Sequence, residues 1–142
     1  MTMTIMNDDV CIIKRSAIPS IESITIDNKI YKLGIMKDLK AHPYLEEFIP
    51  SQCDIGISWV ALAKDEILEP HTHPIDTMVM ICKGQGKLLL KGDAKDIVEE
   101  GDIIAIPRNC RHGFVGVGDS GFWGVSLYFS LQALHKNSMT QF

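Results

Sequence analysis

Nine of the eleven glycines in this chain of 142 residues fall from Gly84 onward, set between short runs of β-favouring residues. Asp54 to Ala63, Thr77 to Cys82, Lys87 to Lys91, Ile97-Val98, Asp102 to Ile106, Arg111 to Val115 and Phe122 to Phe129 read as strands. The breaks between them are Lys83 to Gly86, Gly92-Asp93, Glu99 to Asp102 and Gly116 to Gly121. A strand and a glycine-bearing turn about every ten residues is the pattern of an all-β sandwich or barrel. Glycine is then expected at hairpin corners, where φ is positive or the bend is tight. Upstream, Ile24-Thr25-Ile26 and Ile30 to Leu33 flank Asp27-Asn28-Lys29 as a hairpin. His42-Pro43 interrupts the helix formers of Lys37 to Phe48, which predicts a loop with at most one or two helical turns. Leu131 to Lys136, after Ser130 as N-cap, reads as a short helix, and Asn137 to Phe142 as a tail. The expected organisation is strands and loop over 1–50 packing on or extending a barrel, the barrel over 51–130, and a C-terminal helix and tail over 131–142.

A domain of this size buries roughly two-thirds of the surface its unfolded chain exposes, so folding alone calls for neither disulfides nor a structural metal. Fourteen Lys and Arg against eighteen Asp and Glu give a net charge of -4. Phosphate binding needs a concentrated excess of cations, which excludes nucleic acid and an anionic membrane as partners. The longest apolar runs, such as Met78 to Cys82, are strand length and far short of the roughly 20 residues of a membrane span. The start, MTMTIMNDDV, lacks a basic segment followed by a long apolar one, which predicts a cytoplasmic protein. Cys11, Cys53, Cys82 and Cys110 are scattered with no CxxC pair, and are expected to be reduced, buried and inert.

Chemistry is concentrated in the histidines. His71 and His73 are alternate residues, and on a strand alternate side chains share a face. Joined by His112 from another strand, they form a facial set of neutral imidazoles suited to Fe, Mn, Ni, Cu or Zn. An isolated HxH is equally compatible with two half-exposed turn histidines, so the surrounding pattern decides. His71-Thr72-His73 is followed by Thr77 and then Gly84, while Gly101 is followed by Pro107, Asn109, His112 and Gly116. This register resembles the two motifs of the cupin family, G-x5-HxH-x3,4-E-x6-G and G-x5-PxG-x2-H-x3-N. The resemblance implies a double-stranded β-helix, the cupin jelly-roll barrel, with a short N-terminal extension. It also implies a divalent transition metal on His71, His73 and His112, a small-molecule ligand and a homodimer.

Four positions depart from the motifs. Asp65 stands for the leading glycine, Thr77 for the glutamate ligand, Asn109 for the glycine after proline and Gly116 for the final asparagine. Asparagine tolerates the left-handed region, so Asn109 is a mild change. Thr77 is not, because a hydroxyl is a much poorer ligand than a carboxylate, and the fourth ligand position is left open. Asp76 is a secondary candidate that needs a bulge after Pro74 to turn inward, and Cys110 is another.

Three neutral ligands leave a divalent ion its full charge, which favours anionic or chelating ligands and keeps coordination positions free. Thr77, Val79 and Ile81 are expected to face the pocket, with Trp59, Trp123 and Tyr128 as the large residues available to its walls. Tyr128 and Arg111 are the candidate catalytic side chains, and Arg108 or Arg111 is placed to steer a carboxylate. Two functions fit: a three-histidine dioxygenase-type enzyme acting on a small anionic or chelating substrate, and a non-catalytic module that binds or senses metal or a small molecule.

Overall fold

Asp27 and Asn28 both adopt positive φ, 51° and 65°, the conformation a two-residue type I′ turn demands of its central pair. They close the expected hairpin, with β1 (Ile21–Ile26) antiparallel to β2 (Lys29–Asp38) and Ile26 opposite Lys29. This is the beginning of the barrel in the computed structural model, which describes residues 10–52, 54–90 and 93–129. β2 then pairs with β3 (Ile55–Leu62), so the N-terminal hairpin extends a sheet of the barrel. Between them lies α1 (Pro43–Phe48). Pro43, read from the sequence as an interruption, begins this helix: its missing N–H is one the first turn leaves unpaired anyway, and the His42 ring accepts from the Tyr44 N–H at 3.2 Å as the cap.

The remaining strands are β4 (Ile67–His71), β5 (Asp76–Leu90), β6 (Asp93–Glu99), β7 (Ile103–Ile106) and β8 (His112–Phe129). β5 and β8 are far longer than the sequence suggests. Lys83 to Gly86 and Gly116 to Gly121, expected as hairpin corners, lie inside continuous strands. Both strands change partners at these glycines. The first half of β5 is flanked by β7 and the second half of β8, and its second half by β6 and the first half of β8. The second half of β8 also pairs with β3, and its first half with β4. Two long strands passing from one face of the barrel to the other make the jelly roll.

Gly84 shows why glycine serves at the crossing: its φ is +86°, and a Cβ there would overlap the Gly121 carbonyl of the neighbouring strand. The bulge also shifts the inward positions of β5 from Thr77, Val79 and Ile81 to the even-numbered Gly86. The core lies between the two faces, with Leu62, Val79 and Ile81 meeting Val98, Phe114 and Phe122. Glu99 to Asp102 is the tight turn expected, with Gly101 at φ +93°.

Cys11, Cys82 and Cys110 are exposed, against the expectation of burial. Cys82 falls where the inward side of β5 changes, and Cys110 in the turn before β8. Cys53, Gly92 and the C-terminal helix and tail expected over 131–142 lie outside the described residues. Among the described residues, no helix is long and apolar enough to cross a membrane.

Candidate metal centre

His71 and His112 are register partners on β4 and β8, so pairing of the two strands brings their imidazoles together. The ring centroids lie 4.6 Å apart. His73 arrives differently from the strand alternation expected. β4 ends at His71, and His73 sits in the connection to β5, where Pro74 has no N–H to continue a ladder. Its place is fixed from across the loop, because the Asn109 N–H donates to the His73 carbonyl at 2.8 Å. Its ring is 5.6 Å from His71 and 4.8 Å from His112. Nitrogens of the three rings lie within 4.8 Å of one another.

Each ring is also oriented. Nδ1 of His71 lies 2.8 Å from the Glu69 carbonyl, Nδ1 of His73 3.1 Å from that of Ile75, and Nδ1 of His112 2.9 Å from that of Cys110. A carbonyl oxygen only accepts, so each Nδ1 carries the proton and donates it. In the neutral ring each Nε2 then keeps a free lone pair. Metal-binding histidines are commonly held in this way, by a second hydrogen bond that fixes the tautomer. Burial also lowers the pKa of His73, with His71 adding to the effect. His112 is pulled down to about 4, chiefly by burial, although its bond to the Cys110 carbonyl acts in the opposite direction. At neutral pH both are uncharged donors.

The rings open on a cavity of about 330 Å³. Thr77 is buried and lines it, as does Val79, while Ile81 belongs to the core behind. Ser58 of β3 faces Ser126 of β8 in register, and both hydroxyls border the cavity, an addition to the site that single serines in a strand do not announce. Tyr128 of β8 is the register partner of Thr77 on the neighbouring strand, and Gly56 makes room for it, since a Cβ at 56 would overlap the phenol ring. Burial raises the Tyr128 pKa, helped by the carboxylates of Asp38 and Asp54.

Trp59 and Trp123, expected as pocket walls, face away from it. The Arg15 guanidinium stacks on both, 3.8 Å from the Trp123 centroid and 5.2 Å from that of Trp59, and ties the N-terminal segment to the outside of the barrel. Their place in the wall is taken by the hairpin. Ile24 and Ile26 of β1 and Leu33 and Met36 of β2 line the cavity, and the Tyr31 ring lies 5.6 Å from His71. The alternation of Ile24 with Ile26 and Tyr31 with Leu33 was the available signal.

Asp76 does not join the histidines. Its Oδ1 accepts from the Arg108 N–H at 2.8 Å and pairs with the Arg108 side chain at 3.6 Å, both side chains remaining well exposed. Arg111 is exposed and outside the cavity lining, and Cys110 offers the cluster only its carbonyl.

Two motif departures have a common geometry. Asp65 and Asn109, each standing where the motif has glycine, adopt φ of +66° and +64°. Asp and Asn are the residues that best replace glycine in this region. The Cupin domain family matches residues 58–122, the segment that carries all three histidines.

Residues 58–122 form a cupin domain.

Solved structures agree with this cupin in fold. A Cupin 2 conserved barrel domain protein from Salinispora arenicola is 15% identical with a TM-score of 0.62, covering 96% of this chain and 100% of its own. A protein from Photorhabdus luminescens is 12% identical with a TM-score of 0.65, with the same coverage of 96% and 100%. The DMSP lyase DddQ from Ruegeria pomeroyi is 18% identical with a TM-score of 0.57, over 70% of this chain and 48% of its own. No curated protein matches the sequence.

Proposed function

We propose that this cupin holds a divalent transition metal, from among Fe, Mn, Ni, Cu and Zn, through Nε2 of His71, His73 and His112. We further propose that it catalyses a dioxygenase-type reaction on a small anionic or chelating substrate. The observation that carries the reading is the set of three Nδ1–H donations to backbone carbonyls, which leaves three free Nε2 lone pairs beside one cavity. Three neutral nitrogen donors fit such an ion and leave its charge unneutralised, so an anionic substrate group is drawn to it. Bound there, iron supplies one-electron and dioxygen chemistry, whereas zinc or nickel supplies Lewis acidity.

The chain's own residues have positioning tasks. Ser58, Thr77 and Ser126 offer hydroxyls that hydrogen-bond polar atoms of the substrate, and the apolar walls exclude water. Tyr128, with its raised pKa, keeps its proton and acts as a donor rather than a base. Metal analysis of protein purified without an affinity metal, followed by anaerobic substrate addition and oxygen uptake, tests the proposal. The reading requires metal in the wild type and its loss in His112→Ala; an iron form inert toward thiols, diketones and phenols counts against turnover.

One observation favours the binding or sensing alternative. No Asp, Glu, Lys or Arg lines the cavity among the described residues, so the site lacks a carboxylate to serve as general base. Native mass spectrometry that finds a retained small molecule with no turnover supports it. The homodimer is part of the same proposal: among the described residues β1 stands at an end of the strand order, where a second copy could add a strand. A clean monomer at micromolar concentration is the result that would remove it.

A further inference from the structure

The cavity is lined by two chemically different sets of side chains. One is the imidazoles and the hydroxyls of Ser58, Thr77, Ser126 and Tyr128; the other is apolar. The β1–β2 hairpin adds Ile24, Ile26, Leu33 and Met36 to the apolar set, and all four lie outside the segment 58–122 that matches the family. The hairpin is held in place from both ends. β2 is laddered to β3, and Lys29 at the turn pairs with Glu69 at 3.3 Å, the residue whose carbonyl orients His71.

We propose that the β1–β2 hairpin is the specificity wall of this cupin, and that it selects a ligand with a small chelating head and an uncharged, apolar body. The proposal rests on the metal reading above for the head and on the hairpin alone for the body. A charged group on the body would lose its water against Ile24, Leu33 and Met36 with nothing to replace it. About 330 Å³ corresponds to roughly ten water volumes, enough for the head and a short chain or one ring. Alternation fixes which hairpin residues take part: Ile24 and Ile26 line the cavity, whereas Ile30, on the same hairpin, is 67% exposed and absent from its walls.

Acetohydroxamate, butyrohydroxamate and hexanohydroxamate are bidentate chelators that differ only in methylene count. Titrated by calorimetry into Co(II)-loaded protein, they should bind about fourfold more tightly per added methylene until the cavity fills. Ile24→Thr and Leu33→Thr, which keep residues able to occupy a strand, should at least halve that gain, and Ile30→Thr should leave it unchanged. Succinate monohydroxamate, with a charged end, should bind at least tenfold more weakly than butyrohydroxamate. Equal affinity along the series, or equal slopes in all three variants, overturns the wall while leaving the metal site standing. If cobalt does not bind, the metal reading falls and saturation-transfer NMR of 1-hexanol with the metal-free protein decides the wall separately. A hexanol signal lost in Ile24→Thr upholds it, and no signal in the wild type overturns it.

Discussion

The backbone N–H of Asn109 reaches 2.8 Å to the carbonyl of His73, so a residue of one histidine-bearing segment sets the position of a histidine in the other. Asn109 makes this contact from a left-handed conformation, φ +64°, between Pro107 and Cys110. A β-branched residue is strained there, and the strain costs of order 1–3 kcal/mol. Asn109→Val should destabilise the protein by about that amount, while Asn109→Gly should stay within about 1 kcal/mol of the parent. Denaturant unfolding measures both, and a competitive metal titration should show Asn109→Val weakened in parallel as His73 loses its tether.

Thr77 is buried at the cavity wall, on the inward side of β5. Thr77→Glu introduces a carboxylate beside the three imidazoles. Metal affinity should rise at least tenfold in a competition titration, and the metal-free protein should become less stable because the new charge is buried without a partner. Unchanged affinity would show that residue 77 is too far from the ion to ligate it.

Acid should destabilise the metal-free protein earlier than its carboxylates alone require. Folded His112 takes a proton only near pH 4, whereas an unfolded histidine does so near 6.5. Between those values the unfolded chain binds more protons, so stability rises with pH through the window and levels off above about 7. His73, lowered in the same direction, adds to the slope. Urea midpoints at pH 7.5, 6 and 5 should fall in that order, and His112→Gln should fall less steeply. A midpoint that does not move between pH 7.5 and 5 contradicts the depressed pKa.

Asp76 gives the converse expectation. Its carboxylate is occupied by Arg108, so Asp76→Asn, which keeps an oxygen for the Arg108 N–H, should change metal affinity by less than threefold. Stability should drop by no more than about 1 kcal/mol, the range of an exposed ion pair. A tenfold loss of metal would place Asp76 at the ion after all.

Much of this cupin is legible from local chemistry. The Asp27-Asn28 turn and the Gly101 turn follow from residue types at fixed spacing, and the convergence of His71, His73 and His112 follows from the resemblance to the cupin motifs. What escapes the sequence is decided by tertiary contact. Gly84 and Gly121 look like corners because glycine marks corners, yet here they let two continuous strands cross. Trp59 and Trp123 are large and apolar enough for a pocket wall, and only the arrival of Arg15 from the N-terminal segment shows that they face outward. His73 reaches the cluster through a loop rather than through strand alternation, because the β4 ladder stops at His71. The hairpin residues that complete the cavity alternate correctly, but nothing in their own segment says what they cover.

The pairing of His71 with His112 across β4 and β8 has a consequence for how the chain matures. A slip of one residue turns every side chain of a strand to the opposite side, and one imidazole would then face solvent. An ion that needed all three nitrogens would therefore inspect the zippering of the barrel, and its binding would reward only molecules that have closed in the correct alignment. Under the proposed metal binding, loading would be a proofreading step: misaligned copies would stay empty, remain less stable, and be the first offered to proteolysis.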